Sequence, residues 1–369
     1  MPDDIIEEAG DQVSSTMKNI LHFNVHGVKV AFESQDRLFA QFVEGNYRHF
    51  MDTGGESDLE VSFNGYHSWP YSCTRWLRRG REKALPTDLT KLDRRLYFRA
   101  HDLIWEDTRF SISIRVGANK LKVKGRYFED LEHLPARLFL GRKRLCLEAY
   151  QQIMRYILHF PIFWILATRQ KKYLIHASAV ERNGKGIIFA GLNGVGKSTL
   201  ALYFLERGYK LLSDNFLIFD RQKLYSFPEV LRISARTVKL LGVGLGSKVS
   251  SSLIFGKQHY ILDGDKISSE AVPEKIFLLC LSRERAITKV PPSVLRDSLI
   301  GMHHYLGEFP EYSYLSAMHY VDKGFDWEDQ FETLTYLLEH CECYLLENGR
   351  NQSLDGIEEE VERASVDSW

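Results

Sequence analysis

The chain has 369 residues, of which 44% are hydrophobic and 26% charged, and its formal net charge at pH 7 is −1. Such a chain is long enough for two or three globular domains, and its near-neutral balance excludes an overall field that attracts nucleic acid or an acidic membrane. We therefore expect neither nucleic acid nor a membrane as a partner. The five cysteines are scattered and odd in number, which predicts reduced thiols in a cytoplasmic protein.

The N-terminal third of the chain is predicted to be mostly strand. Residues 1–18 are polar and are expected to be flexible, and residues 19–144 are expected to form a β-rich domain. Two apolar runs flank Gly27 as the strands of a hairpin do. Period-two alternation, which predicts antiparallel strands with one face toward water, recurs in residues 58–63, 109–115 and 121–124. This part of the chain carries no catalytic motif.

A basic stretch that includes Trp76 lies between Arg75 and Lys83. Its charge fits a docking surface for an acidic peptide or another phosphate-rich partner. A solvated loop without a partner is the alternative, and the sequence leaves both open.

The next part of the chain, residues 145–290, is predicted to be an α/β core. It begins with a helix over residues 145–169, in which Pro161 is expected to introduce a kink or a break. Strands are predicted at residues 173–180, 187–190, 211–213, 216–219, 259–262 and 275–281. Residues 291–369 are expected to form a mainly helical C-terminal segment packed on this core, with one strand at Cys343–Leu346.

Residues 191–198 read Gly-Leu-Asn-Gly-Val-Gly-Lys-Ser, which fits the phosphate-binding P-loop pattern. An apolar strand precedes the loop and a helix follows it, as the motif requires. Glycines let backbone amides point at phosphates, Lys197 supplies a point charge, and Ser198 offers a hydroxyl to Mg²⁺. The residues assigned to nucleotide binding are Gly191, Asn193, Gly194, Val195, Gly196, Lys197, Ser198 and Thr199. We expect ATP with Mg²⁺, although the sequence does not distinguish ATP from GTP; a glycine-rich turn without a ligand is the alternative.

A second apolar strand ends at Asp214. In many nucleotide enzymes such a strand lies next to the P-loop strand, so the carboxylate of Asp214 can face the terminal phosphate. There it either holds Mg²⁺ or takes a proton from an attacking hydroxyl. Asp220 ends the next strand and competes for this role, but it leads into a polar turn, so we favour Asp214.

Three segments together resemble the HPr kinase/phosphorylase superfamily, and more closely the related kinases of peptide natural-product clusters, including lasso-peptide precursor kinases. These segments are Leu174–Val180, Gly186–Ser198 and Glu206–Asp214. The resemblance implies an α/β P-loop kinase core related to phosphoenolpyruvate carboxykinase. It places this core after a β-rich N-terminal domain and before a mainly helical C-terminal part.

The resemblance also implies roles for individual residues. His176 matches the family histidine beside the catalytic carboxylate, and Asp214 matches the base that acts toward an acceptor serine. Asn215 stands where the family has a second aspartate, so it can ligate a metal through its carbonyl oxygen but brings no charge. The implied metal ligands are thus Ser198, Asp214 and Asn215. Arg232 and Lys257 are candidate charge-stabilising residues, with ordinary surface charges as the alternative.

The leading hypothesis is an ATP-dependent kinase that phosphorylates a hydroxyl on a peptide or protein. The family's Arg-Gly-Leu-Gly-type signature is missing at residues 227–233, so the reverse phosphorylase activity is not expected. A small-molecule hydroxyl kinase, a nucleotide-dependent switch or ATPase, and a fold that binds nucleotide without chemistry stay open. So do the identity of the acceptor and assembly into a homo-oligomer.

Overall fold

The structure is a computed structural model, and it describes residues 20–66, 90–93, 96–99, 102–106, 110–117, 119–128, 150–227, 229–234, 237–238, 241, 247–251, 257–305, 326–349 and 353–364. The predicted flexible N-terminus and the basic stretch from Arg75 to Lys83 lie outside these residues. Within these ranges, no helix is both long enough and apolar enough to cross a membrane. Of the five cysteines, the structure describes Cys280, Cys341 and Cys343, which are free thiols.

The first of two large sheets contains eight strands in the order β1-β2-β3-β8-β7-β6-β5-β4. These are β1 (Ile20–Val25), β2 (Val28–Ser34), β3 (Leu59–Tyr66), β4 (Thr90–Asp93), β5 (Leu96–Arg99), β6 (Asp102–Glu106), β7 (Phe110–Val116) and β8 (Leu121–Phe128). The predicted β1–β2 hairpin is confirmed. His26 and Gly27 form its two-residue turn and have φ values of 50° and 98°, which is the conformation that the twist of a tight hairpin favours.

The predicted pairing direction was wrong for β3. This strand was expected to be antiparallel, but it runs parallel to β2 on one side and to β8 on the other. Helix α1 (Arg37–Tyr47) connects β2 to β3, and such a crossover returns the chain in the same direction. The alternation of residues shows only which face of a strand is buried, so it carries no information on the direction of its neighbours.

The long apolar helix at the start of the predicted core contains a π turn, Arg155–His159, followed by helix α2 (Phe160–Gln170). Pro161 lies in the first turn of α2. A proline cannot donate a backbone hydrogen bond, and the wider π turn alters the bonding just before it. Pro161 therefore coincides with an irregular turn in a helix that continues to Gln170. The side chains of α2 from Phe160 to Ala167 are all buried.

The second large sheet follows the order β10-β9-β12-β13-β17-β19-β18, with β11 paired to β9 and an additional parallel pairing of β10 with β17. Its strands are β9 (Tyr173–Arg182), β10 (Lys185–Ala190), β11 (Lys210–Ser213), β12 (Phe216–Phe219), β13 (Leu224–Tyr225), β17 (Glu270–Ser282), β18 (Ala286–Lys289) and β19 (Glu342–Gly349). A three-stranded sheet beside it contains β14 (Leu231–Ser234), β15 (Ser247–Ser251) and β16 (Lys257–Ile261) in the order β14-β16-β15.

In the described part of the chain, further helices pack around this second sheet. They are α3 (Lys197–Leu205), α4 (Pro292–Tyr305), α5 (Trp327–Glu339) and α6 (Ile357–Arg363). The C-terminal part also contributes β19, which lies between β17 and β18 in the sheet. The segment after residue 290 thus adds a strand to the second sheet and also contributes helices that pack on it. The domain boundaries near residues 144 and 290 stay predictions.

One expected neighbour relation differs in the structure. The strand that ends before Asp214, β11, pairs with β9 and not with the loop-bearing strand β10. Strand β9 lies between the two, antiparallel to both. The chain after α3 therefore passes over β9 before it joins the sheet, and β9 brings its own side chains into the space between the loop and Asp214.

Candidate functional site

The loop at residues 191–198 joins the end of β10 to the start of α3. Gly191, Gly194 and Gly196 have φ values of 144°, 84° and 108°, a region in which side chains with a Cβ are strained. A Cβ atom on Gly191 would lie 2.8 Å from the backbone oxygen of Leu279. Glycine at position 191 is therefore required both by its backbone angle and by the strand that passes beside it.

We expect Gly191→Ala to destabilise the fold by about 1–3 kcal/mol. The change combines backbone strain with a clash against a backbone oxygen, which cannot move aside as the end of a flexible side chain can. Gly194→Ala is the matched control: its φ is also positive, but no atom lies within 4 Å of its added Cβ. The control should lose only about 1–2 kcal/mol. Urea denaturation of both variants measures the difference, and equal stabilities would show that the contact with Leu279 does not matter.

Lys197 is the charged residue of the loop, and its side chain is buried, with 6% relative exposure. Its Nζ donates hydrogen bonds to the backbone oxygens of Gly191 (2.7 Å) and Leu192 (3.0 Å). Burial lowers the pKa of Lys197 to about 8, while the negative charge of Asp214 acts in the opposite direction. The ammonium group is thus held inside the loop, within electrostatic reach of Asp214.

His176 lies on β9 and contacts both the loop and the Asp214 turn. Its Nε2 is 3.1 Å from Oδ1 of Asn193, and its Nδ1 is 3.0 Å from the backbone oxygen of Asn215. Burial, followed by the nearby charge of Lys197, lowers the pKa of His176 to about 4. The imidazole is therefore neutral at physiological pH, so it has a single N–H to donate to one of these two oxygens, and it contacts both halves of the site.

This lowered pKa predicts a loss of stability in acid. Between pH 6.5 and pH 4 the unfolded chain takes up a proton on His176 that the folded protein does not, so stability falls as the pH drops through this window. The expected loss is about 2–3 kcal/mol by pH 4. His176→Gln removes the titrating group and should flatten this part of the pH profile. Unfolding free energies of both proteins at pH 8 and pH 4.5 test this, and parallel profiles would contradict it.

The turn at Asp214 and Asn215 follows β11 and is held by hydroxyl groups. The Oγ of Ser178 donates to Oδ1 of Asp214 at 3.0 Å and to its backbone oxygen at 3.3 Å. The Oγ of Ser213 donates to the backbone oxygen of Phe216 at 2.7 Å and accepts from the backbone N–H of Asn215 at 3.3 Å. The backbone of the turn is thus held by hydroxyls from two strands, and the carboxylate of Asp214 is held by that of Ser178.

Asp220, the competing carboxylate, has a structural task. Its side chain accepts hydrogen bonds from the backbone N–H groups of Gln222 (2.7 Å) and Lys223 (2.8 Å) and from the hydroxyl of Tyr225 (2.6 Å). These contacts close the turn between β12 and β13, and the choice of Asp214 over Asp220 as the base stays a prediction.

The structure thus connects several residues that the sequence singled out. Asn193, His176 and Asn215 form one continuous chain of contacts, and Lys197 and Asp214 interact electrostatically. Ser198 and Thr199 lie in the first turn of α3. The Oγ1 of Thr199 is 3.3 Å from Oγ1 of Thr237, so its hydroxyl also contacts the segment after β14.

The two candidate charge-stabilising residues lie on neighbouring strands of the small sheet. Arg232 on β14 is opposite His259, and Lys257 on β16 is opposite Ser234. Their side chains fall outside the described part of the structure, so their role stays a prediction.

The donor set suits Mg²⁺ better than a transition metal. The implied ligands Ser198, Asp214 and Asn215 offer oxygen atoms, which Mg²⁺ prefers. Among the described residues, no three or more His, Cys, Asp or Glu side chains cluster as a metal site. Because Mg²⁺ commonly combines one or two protein oxygens with substrate phosphates and water, this sparse set fits an ion that arrives with a nucleotide.

Three features of the site were missed by the sequence analysis. Ser178 could have been found, because it lies two residues after His176 on the same strand, and alternate residues share a face. Asn348 on β19 donates from Nδ2 to the backbone oxygen of Val195 at 3.4 Å, a contact between distant segments with no local signal.

The third feature is a largely buried ion pair behind the site. Arg155 Nη2 is 3.2 Å from Glu229 Oε1, and the Arg155 guanidinium lies 5.7 Å from the ring centroid of Phe216, the residue paired with His176. The negative charge of Glu229 also acts on His176, in the direction that raises its pKa. Arg155 and Glu229 lie outside the loop and the Asp214 turn, so the site motifs gave no reason to connect them with His176.

No protein-family model matches the chain. Curated relatives match it over short segments. The HPr kinase/phosphorylase of Lactobacillus acidophilus is 30% identical over 83 residues, which is 22% of this chain and 26% of the relative. The enzyme of the same name from Lachnoclostridium phytofermentans is 28% identical over 88 residues, which is 23% of this chain and 28% of the relative. The chain thus spans about a quarter of the length of these relatives.

Among solved structures, the HPr(Ser) kinase/phosphatase from Coxiella burnetii matches 37% of this chain and 98% of its own, with 15% sequence identity and a TM-score of 0.20. The alignments with the two curated relatives show that the chain shares a limited segment with HPr kinase/phosphorylases. The described residues form a mixed α/β protein with two large sheets. The resemblance to kinases of peptide natural-product clusters stays a prediction.

Proposed function

We propose that this protein is an ATP-dependent kinase that transfers the γ-phosphate to a hydroxyl, most simply of a serine, on a peptide or protein in the cytoplasm. The observation that carries the proposal is the linked arrangement of the loop, His176 and the Asp214 turn, in which Lys197 and Asp214 interact electrostatically. The partial similarity to enzymes named HPr kinase/phosphorylase supports a phosphotransferase. Residues 145–290 would form the P-loop kinase core, flanked by the β-rich and mainly helical parts.

In the proposed reaction, Asp214 accepts the proton of the acceptor hydroxyl as its oxygen forms a bond to the γ-phosphorus. The bond between that phosphorus and the bridging oxygen breaks, and its electron pair leaves with ADP. Lys197 and the loop amides neutralise charge on the transferring group. Mg²⁺, when bound by Ser198, Asp214 and Asn215 oxygens, supplies further charge neutralisation. Neutral His176 lies between the Asn193 side chain and the Asp214 turn and donates its one N–H to one of them.

The test uses the purified full chain with γ-labelled ATP, Mg²⁺ and serine-containing peptides encoded by neighbouring genes. We expect label in one such peptide as a phosphate ester, and no label when Mg²⁺ is chelated. Label that enters only a small hydroxyl compound would move the assignment to a small-molecule kinase. Phosphate release that never reaches an acceptor would favour a nucleotide-dependent switch.

The switch is the second candidate because helix α1, which connects two strands of the first sheet, contacts the segment that carries Glu229. The Oδ1 of Asn46, in α1, accepts from the backbone N–H of Val230 at 3.2 Å, and Val230 follows Glu229. Movement of α1 would therefore displace Val230 and, next to it, Glu229, whose charge acts on His176. Nucleotide-dependent changes in assembly without acceptor labelling would support this reading.

A further inference from the structure

Ser178 is a fully buried serine on β9, with 0% relative exposure. A buried hydroxyl needs a hydrogen-bond acceptor, and this one has two on a single residue: Oδ1 of Asp214 at 3.0 Å and the backbone oxygen of Asp214 at 3.3 Å. The same hydroxyl therefore contacts both the carboxylate and the main chain of the proposed base.

The topology explains why this contact exists. Strand β9 lies between β10 and β11, so its middle residues face the loop strand on one side and the strand before Asp214 on the other. Ser178 is opposite Phe189 of β10, and its neighbour Ala179 is opposite Ser213 of β11. Since His176 and Ser178 are two residues apart, the same strand brings both side chains to the Asp214–Asn215 turn.

We propose that Ser178 is a positioning residue for phosphoryl transfer, because its hydroxyl fixes the rotation of the Asp214 carboxylate relative to the loop. This inference rests on the proposed function, in which Asp214 takes the acceptor proton. Ser178 itself neither gains nor loses a proton in the reaction. Its contribution is geometric, and misplacing a reacting group by about 1 Å can slow a reaction by about 100-fold.

The direction of the effect separates positioning from electrostatic tuning. A hydroxyl that donates to a carboxylate stabilises its charged form and so weakens it as a base. If tuning dominated, removal of the hydroxyl would speed proton transfer. If positioning dominates, removal slows it, and the loss is seen in kcat with little change in the KM for ATP.

Ser213 provides a matched control. Its hydroxyl is also buried and holds the same turn, but its two hydrogen bonds go to the backbone of Phe216 and Asn215 and none that the structure describes goes to the carboxylate of Asp214. Ser213→Ala therefore loosens the turn without releasing the carboxylate, so its loss of kcat should be smaller than that of Ser178→Ala.

The experiment measures phosphate release from Mg²⁺-ATP by the full chain, with water in place of the hydroxyl acceptor. Ser178→Ala is expected to lower kcat by about 10- to 100-fold and to leave the KM for ATP within about twofold of wild type. Ser178→Cys leaves no cavity, because its sulfur is larger than the oxygen it replaces, but it is a much weaker donor. A loss of activity similar to that of Ser178→Ala therefore excludes a cavity as the cause. Thermal unfolding of each variant identifies any that fail to fold.

A double-mutant cycle gives the decisive outcome. In an Asp214→Asn background, Ser178→Ala should cause little further loss, because the hydroxyl acts through the carboxylate. Losses that multiply, or a Ser178→Ala kcat equal to wild type, overturn the inference while the kinase proposal stands. A wild-type chain that neither releases phosphate nor labels any acceptor overturns the proposed function, and the role of Ser178 with it.

Discussion

Replacement of Lys197 by methionine is expected to lower phosphoryl transfer by about 10²- to 10³-fold, the usual effect of removing one preorganised charge donor at a transferring group. Methionine keeps the unbranched chain of the lysine but removes the ammonium. In the structure this ammonium is buried and donates to two loop carbonyls. A phosphate oxygen offers the same kind of acceptor with a full negative charge, so the group is already in place to bind one. Turnover and calorimetric ATP affinity measure the loss.

The stability of this variant distinguishes a lost charge from a damaged fold. Burial lowers the pKa of Lys197 to about 8. The charged ammonium is therefore less stable in the folded protein than in the unfolded chain, and keeping it charged costs folding free energy at neutral pH. Methionine removes that cost but leaves the carbonyls of Gly191 and Leu192 without their donor, so the two effects oppose each other. We expect a melting temperature close to wild type.

The control is Lys210→Met, which removes the same charge from an exposed position at the start of β11. This variant should keep wild-type turnover. Equal turnover by Lys197→Met and Lys210→Met would show that the loop at residues 191–198 does not hold the transferring phosphate.

Local features of the site could be predicted from the sequence because local rules govern them. The loop follows a strand and opens a helix as expected, since glycine spacing and apolar runs determine both. Gly208 has φ 86°, as a left-handed residue at the end of α3 should. The pairing direction of β3 could not be read from alternation, because alternation depends on burial alone.

Contacts between distant segments were beyond the sequence for a different reason. Asn348 reaches Val195 only because β19 joins the core sheet beside β17, and no residue near either position encodes that pairing. The placement of β9 between β10 and β11 is likewise a property of the whole sheet. This placement brings Ser178 to Asp214. It also separates the strand before Asp214 from the loop strand, so the predicted adjacency of those two strands was wrong and the contact of Ser178 was missed for the same reason.

Replacement of Asp214 by asparagine is expected to reduce kcat for transfer by about 10²- to 10⁴-fold, the range found when a general base is removed. Asparagine keeps the shape of the side chain and can still accept from the Oγ of Ser178, so the turn should survive. It cannot accept the acceptor proton. We therefore expect near-normal nucleotide affinity with the chemical step lost, which single-turnover transfer from labelled ATP measures separately from binding.

Asp220→Asn gives the opposite pattern and makes the assignment specific. The Asp220 carboxylate accepts from two backbone N–H groups and a tyrosine hydroxyl in the turn after β12. Asparagine replaces the charged acceptor by a neutral one, which weakens these hydrogen bonds and should lower the free energy of unfolding by about 1–2 kcal/mol. Phosphoryl transfer should proceed at nearly the wild-type rate. If Asp220→Asn lost the chemical step and Asp214→Asn kept it, the base would be Asp220. Because the two carboxylates lie six positions apart, at the ends of consecutive strands, this comparison tests the site assignment directly.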